Sequence, residues 1–191
     1  MRLAFFVCFC EIVICLFKDK GYVLKITVFG TKINWKVTET QGANSWCGAY
    51  AAAMILNNKN DARPTKVADM TKWGKKGKND AFSDDDLIRY ANTRGVYPKK
   101  LSRPTTWNET LVQLRKSNAV WGAWQSQVNT WHAVDITGTF SENAMSGRKN
   151  GYIIWNPWRT YTEIIDASPK QIKYIANTDR TYTWRKSITN W

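Results

Sequence analysis

Cys47 is the residue of this sequence best placed to act as a nucleophile. The polar residues 41–46 contain Gly, Asn and Ser and predict a turn, while the Ala-rich run that follows favours a helix. We therefore expect Cys47 in the first helical turn, where free backbone N–H groups stabilise a thiolate and lower the pKa of the thiol. The alternative is a small, buried apolar residue, which is the usual role of a free cysteine.

His132 is the single histidine of the chain and the candidate base. It lies in an alternating, β-prone segment, residues 130–138, which predicts a strand with the ring projecting from one face. Imidazole titrates near neutral pH, so it can take a proton from a thiol and return it to a leaving group. A purely structural histidine remains the alternative.

Asn156 is the third candidate, since it follows an apolar run at 152–155 and precedes Pro157. An amide held at the end of a strand can accept a hydrogen bond from an imidazole and fix its tautomer. Asparagine before proline is also a common turn former, so this motif alone is weak.

These positions together resemble the papain-like cysteine peptidases, and among them the staphopain group of secreted bacterial enzymes. The resemblance rests on Gln41 six residues before Cys47, on Trp46 directly before it, on His132 followed by Ala-Val and a nearby glycine, and on the Trp-Asn-Pro-Trp run at 155–158. Order, context and spacing agree from about residue 33 to the C-terminus. Gly48-Ala49 in place of Ala-Gly, and Ala51 in place of a hydroxyl residue, depart from the family pattern.

The resemblance implies a cysteine endopeptidase in which a Cys47 thiolate, paired with protonated His132, attacks a peptide carbonyl. Asn156 would orient His132, the side chain of Gln41 would help form the oxyanion hole, and Trp158 would cover the bond between histidine and asparagine. The expected partners are a protein or peptide substrate and a dedicated protein inhibitor. Nothing in the sequence indicates a metal or an organic cofactor, and we expect a monomer.

Two other functions stay open at this stage. The same residues would serve another thiol acyl transfer, by an amidase or an isopeptidase, or the fold would be an inactive peptidase scaffold that serves as a basic binding protein. The net charge of +13 suits anionic cell walls or acidic substrates. We see no motif for specific nucleic-acid recognition.

The first residues differ in character from the rest of the chain. Residues 3–17 are mostly apolar behind Arg2, which is too short for a membrane anchor and typical of an export signal, although Glu11 and the lack of a small-x-small cleavage site are unusual. We predict an atypical leader at 1–20, a linker or pro-region remnant at 21–33, and a peptidase domain at 34–191. Secretion is the expected localisation. Three of the four cysteines lie in the leader, so Cys47 is expected to be a free thiol.

The order of the remaining segments predicts an α+β fold. Four helices are expected first, from Cys47, from about Pro64, after a capping signature at Ser83, and from about Trp107. Five strands are then expected between Ala119 and Ile188. This arrangement agrees with a papain-like fold: an N-terminal helical half carries the cysteine on its central helix, and a C-terminal antiparallel sheet or barrel carries the histidine and asparagine.

Overall fold

The computed structural model describes residues 12–17, 23–59, 64–144, 147–168, 171–173 and 180–191. Within these ranges it contains four helices: α1 (Cys47–Asn58), α2 (Val67–Gly74), α3 (Asp84–Thr93) and α4 (Trp107–Arg115). It also contains nine strands: β1 (Ile12–Phe17), β2 (Val23–Lys32), β3 (Lys99–Leu101), β4 (Val120–Ser126), β5 (Trp131–Ala144), β6 (Gly147–Trp155), β7 (Thr162–Asp166), β8 (Gln171–Lys173) and β9 (Thr181–Thr189).

The strands form one antiparallel sheet in which β5 is the central element. The main order is β1-β2-β5-β4-β9-β3, with β6 also pairing with β5, β7 pairing with β6, and β8 pairing with β9. Residues 132–139 of β5 are all buried, so both faces of this strand are covered. The four helices precede most of the strands in the chain, and the predicted α+β class is confirmed.

The helix starts follow local sequence signals. Helix α1 begins at Cys47 as predicted, whereas α2 begins at Val67, three residues after the proline expected to open it. The predicted cap of α3 is present, because Ser83 and Asp86 form a reciprocal capping box. Helix α4 has a second capping box, formed by Thr106 and Glu109.

The N-terminal part of the described chain joins the sheet. Residues 21–33, predicted to be a linker or a pro-region remnant, include β2, whose Thr27–Lys32 section pairs with β5. Strand β1, within the predicted leader, pairs with β2. Residues 1–11 and 18–22 lie outside the described residues, and the three-part division of the chain stays a prediction. None of the described helices is long and apolar enough to cross a membrane.

The described residues form two apolar clusters, the first of which joins the two halves. The first surrounds α1, whose alanines are buried against the helical half and against β4 and β5. The second lies within the sheet half and includes Trp124 and Trp184, whose rings stack with centroids 5.5 Å apart. The first cluster therefore fixes the start of α1 against the central strand of the sheet.

Candidate active site

Cys47 begins α1 at the junction between the two halves. Its side chain is partly buried, and the backbone N–H groups of Ala133 and Gly48 lie within hydrogen-bonding reach of its sulphur. Ala133 directly follows His132, so the thiol lies beside the strand that carries the histidine. Among the described residues, no side chain caps α1 at Trp46, which leaves the first N–H groups of the helix available to a negative charge.

The electrostatics of Cys47 differ from the sequence-based prediction. Burial raises the pKa of the thiol, and this effect outweighs the lowering by the backbone N–H groups of Ala133, Gly48 and Cys47 itself. The predicted lowering of the Cys47 pKa is therefore wrong. A helix start can be recognised in the local sequence, whereas desolvation depends on what the rest of the chain packs over the sulphur.

His132 is buried on β5 and is held by the side chain of Asn156. The distance between Nε2 of the ring and Oδ1 of the amide is 2.9 Å. Asn156 itself is 3% exposed and lies directly after β6, which pairs with β5. The pairing of these two strands is what brings together two residues that are 24 positions apart in sequence.

The surroundings of Asn156 define the tautomer of the histidine. The backbone N–H of Trp158 donates to the same Oδ1 atom over 3.2 Å, which identifies that atom as the acceptor oxygen. An amide oxygen only accepts, so Nε2 of His132 must carry the hydrogen of the shared bond. In the neutral ring Nδ1 is then unprotonated, and it is the nitrogen able to accept a proton.

Burial also acts on the histidine. Desolvation lowers the pKa of His132 to about 4, and the hydrogen bond to Asn156 opposes this shift in part. Desolvation thus favours the neutral form of both groups, the thiol of Cys47 and the imidazole of His132.

Gln41 connects the loop before Cys47 to the turn that carries Asn156. Its backbone N–H donates to the carbonyl oxygen of Pro157 over 2.8 Å, and its Nε2 donates to the carbonyl oxygen of Asn44 over 2.8 Å. The side-chain Oε1 is buried and has no partner among the described residues. The structure thus brings all four predicted residues, Gln41, Cys47, His132 and Asn156, to one place.

Asn44 was not recognised from the sequence, although it organises the loop before the cysteine. Its Oδ1 accepts the backbone N–H of Trp46 over 3.1 Å, in addition to the contact of its carbonyl with Gln41. Asparagine commonly accepts from a backbone N–H two residues onward, so the position of Asn44 two residues before Trp46 was the available signal.

Residues 75–79 form a basic loop that supports the same region from outside. This loop is largely exposed. However, the carbonyl oxygen of Gly77 accepts from Nε1 of Trp46 over 2.9 Å, and that of Lys78 accepts from the backbone N–H of Ser45 over 3.0 Å. These contacts join residues about thirty positions apart and were not visible in the local sequence.

A cleft of about 570 Å³ lies between the two halves, and three of the four candidate residues line it. Gln41, Cys47 and Gly48 contribute to one wall, and His132, Ala133 and Trp158 contribute to the other. A thiol at a helix start facing a histidine on a sheet, with an asparagine behind the ring, is the arrangement that defines papain-like thiol enzymes.

Comparison with known proteins agrees with this assignment. Residues 27–191 match the family model for staphopain peptidase C47, and the chain belongs to this family. Its fold is accordingly papain-like.

Two relatives indicate the extent of the similarity. Staphopain A of Staphylococcus aureus is 29% identical over 180 residues, which cover 90% of this chain but 46% of that protein. A protein named extracellular cysteine protease from Staphylococcus epidermidis is 30% identical over 167 residues, covering 81% of this chain and 92% of the relative. The chain thus spans about half the length of staphopain A and nearly the whole length of the second relative.

Proposed function

We propose that this chain is a secreted bacterial cysteine peptidase that hydrolyses peptide bonds in proteins. Cys47 is the nucleophile, His132 the base and acid, Asn156 the residue that orients His132, and Gln41 a donor to the oxyanion. The observation that carries the proposal is the 2.9 Å bond between His132 and Asn156 in a cleft shared with Cys47 at the start of α1.

The first half of the reaction cleaves the peptide bond. As the sulphur of Cys47 attacks the carbonyl carbon, Nδ1 of His132 accepts the thiol proton, because Nε2 is committed to Asn156. The resulting imidazolium passes this proton to the nitrogen of the leaving amine while the C–N bond breaks. The products are an acyl group on Cys47, a free amine, and a neutral histidine.

The second half releases the acyl group. Neutral His132 takes a proton from water, the hydroxide attacks the thioester carbonyl, and the proton returns to the sulphur of Cys47 as the acid departs. This route needs no preformed thiolate, which agrees with the raised pKa of Cys47 and the lowered pKa of His132.

Negative charge on the carbonyl oxygen needs donors at the start of α1. The backbone N–H of Cys47 belongs to the first helical turn. Nε2 of Gln41 donates to the carbonyl oxygen of Asn44 over 2.8 Å and has only a long contact, 3.5 Å, with Oδ1 of Asn44, which an oxyanion would replace. Removal of one oxyanion donor costs about 10² to 10³ in rate, and we expect a loss of this size in Gln41→Ala.

The proposal is tested with the full chain and its Cys47→Ala variant. Hydrolysis of a fluorescently labelled unfolded protein is measured with and without a thiol reductant, and with and without an epoxysuccinyl inhibitor of thiol peptidases. We expect reductant-dependent hydrolysis that the inhibitor blocks and the variant lacks. Equal hydrolysis by the variant would assign the activity to a contaminant and contradict the proposal.

An inert wild-type protein would also contradict the peptidase proposal, and the rate of Cys47 alkylation would then separate the alternatives. Alkylation of Cys47 that is markedly faster in the wild type than in His132→Ala would indicate an assembled site with another acyl substrate, such as an amide or isopeptide. Equal alkylation rates in the two proteins would indicate an inactive scaffold.

Export and regulation follow from the same proposal. The name of the Staphylococcus epidermidis relative, extracellular cysteine protease, supports secretion. A thiol peptidase also has to be restrained inside the cell that makes it, and we propose a dedicated protein inhibitor as its partner there.

A further inference from the structure

One end of the cleft is crossed by an ion pair between its two walls. Lys186 lies on β9 of the sheet half, and Asp84 is the first residue of α3 in the helical half. The distance between Nζ of the lysine and Oδ2 of the aspartate is 3.7 Å, and both residues line the cleft that contains Cys47 and His132. A substrate side chain that enters this end of the cleft must therefore meet these two groups.

The ammonium group of Lys186 is held close to the strand of the histidine. Its Nζ lies 4.9 Å from the centroid of the Trp131 ring, and Trp131 directly precedes His132. The lysine side chain is nevertheless 40% exposed, so a ligand in the cleft can reach its ammonium group. The position of the positive charge is thus restrained while its accessibility is kept.

The negative charge of Asp84 is compensated from several directions. Nζ of Lys100 lies 3.6 Å from the same Oδ2 atom, and the start of α3 favours a carboxylate at this position. The aspartate side chain is only 16% exposed. An incoming cation would find this carboxylate occupied, whereas an incoming anion would find the ammonium group of Lys186 within reach.

The distances also favour exchange of partners. A well-formed bond between an ammonium group and a carboxylate is about 2.8 Å long, considerably shorter than the 3.7 Å between Lys186 and Asp84. A substrate carboxylate can approach Lys186 more closely, while Asp84 keeps its favourable position at the start of α3 and the nearby charge of Lys100, which it shares with Asp85 at 3.0 Å. The opening of the cross-cleft pair therefore leaves neither charge of that pair isolated.

We propose that Lys186 makes the enzyme prefer substrates with an acidic side chain, glutamate or aspartate, at the residue that reaches this end of the cleft. Phe82, Ala123 and Ala133 also line the cleft and suit the aliphatic stem of such a side chain. The net charge of +13 favours the approach of acidic protein segments. This inference rests on the proposed peptidase function and specifies its substrate class.

The experiment uses the full chain and internally quenched peptides that share one cleavable bond. Each of the three residues on either side of that bond is, in turn, Glu, Gln or Lys. At one position we expect kcat/KM for the Glu peptide to exceed that for the Gln peptide about fivefold, the upper range for a solvent-accessible ion pair. In Lys186→Gln this ratio should fall to about one, and in Lys186→Glu the Lys peptide should become the better substrate.

Two further variants serve as controls. Arg185→Gln removes an equal charge from the neighbouring, exposed residue of β9, and it should retain the Glu preference. Asp84→Asn breaks the cross-cleft pair but leaves Lys186, so the preference should remain at least as large. Loss of the preference in Asp84→Asn would overturn the proposal by giving the pair a structural role.

The remaining outcomes separate the two proposals. Cleavage with equal rates for Glu and Gln peptides at every position, or a Glu preference that survives in Lys186→Gln, would overturn the inference about Lys186 and leave the peptidase function intact. Failure to cleave any peptide would contradict the peptidase function itself and the inference with it.

Discussion

Two titratable residues on β5, His132 and Asp135, are buried only three positions apart, but only one of them has a hydrogen-bond partner for its side chain among the described residues. His132 is 6% exposed and shares a hydrogen bond with Asn156. Asp135 is fully buried, and neither of its carboxylate oxygens has a partner among the described residues. Desolvation favours the neutral form of both, since it lowers the pKa of His132 and raises that of Asp135.

The neighbours of Asp135 explain its lack of a donor. Across the sheet it lies opposite Trp121 on β4 and Trp155 on β6. Nε1 of Trp121 donates to the carbonyl oxygen of Gly48, and Nε1 of Trp155 donates to that of Arg159. The indole N–H groups on both sides are therefore already used. His132, by contrast, has a defined side-chain partner and lines the cleft, as the proposed role of a base requires.

The largest difference between the two residues is expected in catalysis. His132→Ala removes the only general base in the proposed mechanism, and kcat/KM for a peptide should fall about 10⁴-fold. Asp135→Asn should stay within a few-fold of wild type, because this side chain does not line the cleft. Steady-state hydrolysis of one fluorogenic peptide by both variants is the measurement. Comparable losses in the two would contradict the separation of roles.

Removal of the Asn156 side chain should leave the His132 ring without this hydrogen bond, just as the carboxylate of Asp135 has no partner among the described residues. In Asn156→Ala the ring loses its orienting acceptor, and a misplaced base costs about 10² in kcat/KM. The hydrogen bond to Asn156 raises the pKa of His132, so the acidic limb of the pH profile should also move to lower pH. A loss of rate with an unmoved acidic limb would contradict the role of Asn156 in setting the pKa.

The contrast also shows what the sequence allows one to predict. Cys47, His132 and Asn156 could be proposed from the sequence because a helix start, an alternating strand and an Asn-Pro turn are local signals whose combination resembles a known family. The burial of Asp135 could not be predicted. The alternating pattern of β5 suggests one solvent-facing side, whereas helix α1 and the rest of the sheet cover both sides of this strand. The predicted direction of the Cys47 pKa shift was wrong for the same reason, because the burial of the thiol depends on segments that are distant in sequence.

Contacts between residues far apart in the sequence are the other features that could not be predicted. The contact of Lys186 with Asp84 joins residues about a hundred positions apart, and the pairing of β2 with β5 joins segments of similar separation. No periodicity within a short window reports such contacts. The class of fold and the four candidate site residues could be predicted from the sequence, but the end of the cleft that we propose to recognise substrate could not.

The stability of the fold should respond to Asp135 in the direction opposite to most core substitutions. Asp135→Val replaces an unpartnered polar group with a β-branched apolar side chain that suits a central strand, and the free energy of unfolding at pH 7 should rise by about 2 kcal/mol. Urea denaturation of both proteins is the measurement. A decrease in stability would show that the carboxyl group has a stabilising partner.

In the wild type the net pH dependence of stability should be small, because the two residues contribute to it with opposite signs. The folded pKa of Asp135 lies above its unfolded value near 4, so the folded state holds an extra proton above that pH, and stability falls as pH rises toward the folded pKa. The folded pKa of His132, about 4, lies below its unfolded value near 6.5, so stability rises with pH between these values. Each slope is at most about 1.4 kcal/mol per pH unit, and the two slopes oppose each other in the wild type.

Asp135→Asn should remove the falling contribution and leave a net increase in stability from pH 4 to 6.5, measured by urea denaturation at several pH values. An unchanged slope in this variant would mean that Asp135 titrates alike in the folded and unfolded states.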